Sequence, residues 1–174
     1  YRTFVDSSGE IDKLMEPIDK AKAEGVDITL ETYPYPVGSS FPQAFFPGYF
    51  HEGGPEAMLA ILNDEDKRAE LIERMSEISY TAPEGNVWTH IGEGGNQEFE
   101  GWLFDDLAKK WGVSVEEMMT RMMAETSLAC GMRVAPPGNV RQWRQVEEDV
   151  MQLMARPDYM VGSDSIPVGG MPPP

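Results

Sequence analysis

At 174 residues the chain is long enough for one domain with a sizeable core. Its 30 Asp and Glu against 14 Lys and Arg leave a net charge of −16, and so acidic a surface repels phosphate backbones and anionic headgroups, arguing against nucleic acid or membrane partners. No apolar stretch approaches a membrane span, no basic-then-apolar leader opens YRTFVDSSGE, and the single Cys130 allows no internal disulfide and suits a reducing cytoplasm, the expected compartment. The chain starts at Tyr1 without Met and closes on Met171-Pro172-Pro173-Pro174, so both ends are expected to be interruptions of a longer protein.

Ser7 and Glu10 have capping-box spacing ahead of an amphipathic run, Ile11, Leu14, Met15, Ile18 and Ala21. Pro17 falls within it and predicts a late helix start or a kink. Gly25 is the stop, and the β-branched alternation of Val26 to Tyr33 predicts a strand. Helix, glycine and strand in that order form an α/β unit. A long Pro/Gly/aromatic loop, Pro34 to Pro55, follows. Helices are expected over Glu56 to Leu62 and Glu65 to Ile78, then a short strand over Val87 to Ile91 and a glycine turn from Gly92 to Asn96. Trp102 to Lys110 and Val115 to Glu125 are the next helices, the second capped by Ser114 with Glu117 as partner. Ala129 to Val134 reads as extended and Gln145 to Ala155 as helix. Tyr159 to Ser163 is a last short strand running into a turn that presents Asp164.

In α/β barrels the chemistry sits at the C-terminal ends of parallel strands, which singles out Tyr33-Pro34-Tyr35 and Gly162-Ser163-Asp164. An Asp at such a tip is either a turn or cap residue or a carboxylate able to move a proton beside a cation. The other metal-binding side chains are few. His51 reads as a polar loop residue, His90 as a solvent-facing strand residue, and Cys130 as a small core residue. Met118, Met119, Met122 and Met123, with Met151 and Met154, recur at helical spacing and predict core packing. Glu147-Glu148-Asp149 reads as a solvated helix face.

Three segments carry a family resemblance. Glu31-Thr32-Tyr33-Pro34-Tyr35-Pro36-Val37-Gly38-Ser39-Ser40 resembles the YPY-x-x-GS(S/T) segment of N-acyl-D-amino-acid deacylases (D-aminoacylases) of the amidohydrolase superfamily. Met160-Val161-Gly162-Ser163-Asp164-Ser165 is similar to that family's M-(I/V)-G-S-D-G, with Ser165 where the family has Gly. Gly101 to Ala108 with Trp111-Gly112-Val113 resembles the stretch between them. The resemblance implies part of a (β/α)8 TIM barrel holding zinc. Val26 to Tyr33 would be strand seven and Tyr159 to Ser163 strand eight, with a mainly helical excursion between them and 41–96 a variable loop and helical insertion. It further implies Asp164 as metal ligand and general base, Tyr33 and Ser39 as contacts to a substrate carboxylate, and an N-acyl amino acid as substrate. The remaining zinc ligands would precede Tyr1 and a carboxylate-binding Arg would follow Pro174. The chain by itself is then expected to be inactive. Two other readings stay open: a cyclic-amide hydrolase of hydantoinase or dihydroorotase type, and a non-catalytic binding domain whose Phe41 to Phe50 loop forms an exposed apolar patch.

Overall fold

The computed structural model describes residues 2–77 and 85–163. In chain order its elements are α1 (Ile11–Ala23), β1 (Leu30–Thr32), β2 (Ser39–Ser40), α2 (Gly54–Leu62), α3 (Glu65–Glu77), β3 (Val87–Ile91), α4 (Phe104–Trp111), α5 (Val115–Glu125), β4 (Cys130–Arg133), α6 (Val140–Met154) and β5 (Tyr159–Val161). Short 3-10 turns lie at Val5–Ser7, Pro42–Phe45, Gly48–His51 and Gln97–Phe99. The class is mixed α/β, with a parallel pair β1-β5 and an antiparallel sheet in the order β2-β4-β3. Among the described residues the chain divides into two units, 2–37 with 136–163 and 38–77 with 85–135. No helix among them is long and apolar enough to cross a membrane.

In the first unit α1 starts at Ile11 rather than late, and Pro17 lies inside it. The Ser7–Glu10 capping box does not form. Ser7 closes its own 3-10 turn, its hydroxyl accepting from the Phe4 amide at 3.0 Å and its carbonyl from the Glu10 amide at 3.1 Å. Gly25 ends α1 as expected, at φ +92°, where a Cβ would be strained. The Gly25 amide donates to the Lys22 carbonyl and the Val26 amide to the Ala21 carbonyl, both at 3.0 Å, which is a Schellman closure. The strand expected from Val26 shortens to Leu30–Thr32, because its one partner among the described residues, β5, is itself Tyr159–Val161.

Helix α6 packs on both strands. It begins at Val140, earlier than expected, because the Asn139 side chain caps it by accepting from the Gln142 amide at 3.0 Å. Val146, Val150 and Leu153 form its buried face. Two expectations fail on this helix. Met151 is 65% exposed, since it lies off that face, and Asp149 is only 1% exposed, since it lies on it.

The second unit holds the larger core. Met118, Met119, Met122 and Met123 of α5 are all fully buried, and α5 starts where the Ser114 hydroxyl accepts from the Glu117 amide at 3.1 Å. Helix α4 starts at Phe104 rather than Trp102, because the chain just before it is drawn to β3. The Trp102 carbonyl accepts from the Trp88 amide at 3.1 Å, and Leu103 bridges Val87. The aromatic loop does not form an exposed patch. Prolines 42 and 47 introduce the two 3-10 turns there, and Phe46 and Phe50 stack at 4.7 Å inside the core. Trp88, fully buried, meets Phe104 at 4.3 Å.

Candidate functional site

The strand tips singled out by the sequence meet in the first unit. β1 and β5 run parallel with Leu30 opposite Tyr159, Glu31 opposite Met160 and Thr32 opposite Val161. The ladder continues one step, the Gly162 amide donating to the Thr32 carbonyl at 3.0 Å. Tyr33 and Ser163 therefore leave the pair from the same end. Asp164 follows Ser163 in sequence and lies outside the described residues. A Cβ on Gly162 would collide with the Glu31 carboxylate, which lies across that glycine.

Tyr33 is half-buried, its ring 5.7 Å from that of Tyr35. The guanidinium of Arg2 lies over the Tyr33 ring at 5.0 Å and donates through Nη1 to the carbonyls of Tyr33 (3.4 Å) and Tyr35. Burial lowers the Arg2 pKa from its ordinary value, with Tyr33 and Asp149 acting in the opposite sense. Ser39 belongs to the second unit. It is exposed at the start of β2, opposite Arg133, and its hydroxyl donates to the Met132 carbonyl at 3.0 Å.

Asp149 is the polar residue that the sequence reading missed. Its carboxylate accepts from the Thr3 hydroxyl at 2.6 Å, the Gly9 amide at 2.8 Å and the Gln145 amide nitrogen at 2.9 Å. The signal was present in the spacing: Asp149 stands three residues after Val146 and four before Leu153, on the apolar stripe rather than beside it.

A second charged cluster sits at the opposite end of the strand pair, where the Leu30 amide donates to the Asp158 carbonyl at 2.8 Å. The Asp158 carboxylate takes Arg156 Nε at 3.1 Å and Lys22 Nζ at 2.8 Å, and Arg156 also pairs with Asp19. The hydrogen bonds from Arg156 and then Lys22 hold the Asp158 carboxyl well below the usual carboxylate range.

The described residues do not fit a zinc centre. No three or more of their His, Cys, Asp and Glu side chains gather where a metal ion could be held. His51 is exposed at the end of a 3-10 turn. His90 is half-buried rather than solvent-facing, because a bulge between Trp88 and His90 breaks the strand's alternation, and its Nδ1 lies 3.6 Å from Glu100. Cys130 is fully buried, and burial pushes its thiol up to about 12, away from the thiolate that a metal requires.

No protein-family model matches the chain, and no curated protein matches it. Among solved structures it is similar to an N-acyl-D-glutamate deacylase from Bordetella bronchiseptica, complexed with zinc and a phosphonate inhibitor that mimics the tetrahedral intermediate of the reaction. The superposition has a TM-score of 0.50 at 23% identity and covers 90% of this chain. The chain spans 23% of that protein's length. At this identity the likeness concerns the fold.

Proposed function

We propose that the chain is part of the catalytic barrel of a metal-dependent amidohydrolase that removes the acyl group from N-acyl amino acids, the D-enantiomers in particular. In this reading β1 and β5 are strands seven and eight of a (β/α)8 barrel, and the helical excursion between them includes 41–96 as a variable insertion. The observation that carries it is the parallel pairing of β1 with β5, which brings the Tyr33 and Ser163 ends together across more than a hundred residues of intervening chain. Parallel strands are normally covered on both faces, yet Met160 and Val161 stand exposed. That is the condition of a parallel pair whose covering layers lie outside the described residues. The fold likeness to a deacylase over most of the chain supports the same reading.

The proposed chemistry is amide hydrolysis. Tyr33 and Ser39 would bind the substrate carboxylate, and Asp164 would take a proton from the attacking water and return it to the departing amine. Zinc belongs to the proposal as a cofactor of the intact protein, where it would polarise the scissile carbonyl, with its ligands drawn from outside the described residues.

The test is metal analysis of the intact protein together with a hydrolysis panel of N-acetyl-D-glutamate, its L-enantiomer, other N-acetyl-D-amino acids and hydantoin. The expected outcome is about one zinc per chain and preferential release of acetate from a D-substrate. Hydrolysis of hydantoin alone would redirect the assignment to cyclic amides. Absence of both metal and hydrolysis would remove it.

A further inference from the structure

The turn that carries Tyr33 is locally stiff. Pro34 and Pro36 fix their own φ angles and confine Tyr33 and Tyr35, each preceding a proline, to extended backbone. What such a stiff segment needs is an anchor, and Arg2 supplies one. Arg2 as a whole residue is 7% exposed, unusual for an arginine. Its Nη1 donates to the carbonyls of both Tyr33 and Tyr35, its face covers the Tyr33 ring at 5.0 Å, and its Nε donates to the Thr3 carbonyl at 3.0 Å. Thr3 is held in turn, its hydroxyl donating to Asp149 of α6 at 2.6 Å.

We infer that Arg2 is a positioning residue for the Tyr33 turn: Nη1 holds the two tyrosine carbonyls, Nε ties the same planar group to the Thr3 carbonyl and its face covers the Tyr33 ring, so that the phenol is presented for a substrate carboxylate. The inference rests on the deacylase reading for what Tyr33 receives, and on the geometry of the first unit for what Arg2 does. A guanidinium has rigidly splayed donors and a flat face that stacks on an aromatic ring, whereas an ammonium is a compact point charge. Arg2→Lys therefore keeps the charge and removes the fork.

The experiment is backbone 15N relaxation on the full chain, comparing wild type with Arg2→Lys and Arg2→Ala, together with the ring resonances of Tyr33 assigned through Tyr33→Phe. In wild type the amides of Tyr33, Tyr35 and Val37 should have order parameters of about 0.85. In both variants these should fall below about 0.6, and the Tyr33 ring resonances should shift, while the amides of α6 stay as in wild type. Rescue by lysine would overturn the inference, because charge alone would then suffice. So would order parameters that stay high at Tyr33 and Tyr35 in both variants, or a uniform loss of order through α6, which would make Arg2 a general structural residue. No substrate enters this measurement. Failure of the deacylase reading would be seen separately, as absence of hydrolysis by the intact protein.

Discussion

The hydroxyl of Thr3 donates to the carboxylate of Asp149 at 2.6 Å, joining residues 146 positions apart in the sequence. This bond ties the segment ahead of α1 to the buried face of α6, and the Gly9 amide reaches the same carboxylate at 2.8 Å. A carboxylate 1% exposed is tolerable because its oxygens are occupied by three donors, from Thr3, Gly9 and Gln145.

Removing that acceptor leaves the buried Thr3 hydroxyl without this partner and loses the part-buried bonds from Gly9 and Gln145. Asp149→Ala should destabilise the chain by about 3 kcal/mol, read as a lower midpoint in urea denaturation followed by circular dichroism. Asp149→Asn keeps an acceptor oxygen and should cost less. Denaturation of the alanine variant at the wild-type midpoint would mean that the network does not hold the unit together.

Asp158 sets an acid limit on the same unit. Bonds from Arg156 and Lys22 make its carboxyl release its proton more readily in the folded chain than in the unfolded one. Its contribution to stability is therefore complete above the ordinary Asp value of about 3.9. It is lost as the pH falls through that value toward the lower folded one. Urea midpoints measured from about pH 7 to about pH 2 should decline through this window, and Asp158→Asn should flatten the decline. An unchanged acid limb in the variant would show that other carboxylates govern it.

Asp164 is the residue on which the proposed chemistry depends. In the intact protein Asp164→Asn should lower kcat by about a hundred- to ten-thousandfold, the usual worth of a general acid–base group, without moving the thermal midpoint. Near-normal turnover would end its assignment as the proton carrier.

Local features of the chain were legible because they depend on a few neighbouring residues. Gly25 ends α1 since only a residue free to take φ +92° closes that turn, and Ser114 caps α5 through a bond to an amide three positions away. The four methionines of α5 declared a buried face by spacing alone. Asp149 lies within an acidic run that suggests a solvated face, yet its position on the apolar stripe of α6 buries it.

Other features were settled only in three dimensions. β1 is three residues long because β5 offers it no more to pair with, and α4 begins late because Trp102 and Leu103 are held against β3. Phe46 and Phe50 are core rather than surface, since burial is a property of what surrounds a side chain and not of its loop. The Arg2 clamp on Tyr33 and Tyr35 is of the same kind. Hydrogen bonds and packing between segments far apart in sequence leave no local periodicity, so the residues alone mark the strand tips while the folded chain decides which of them meet.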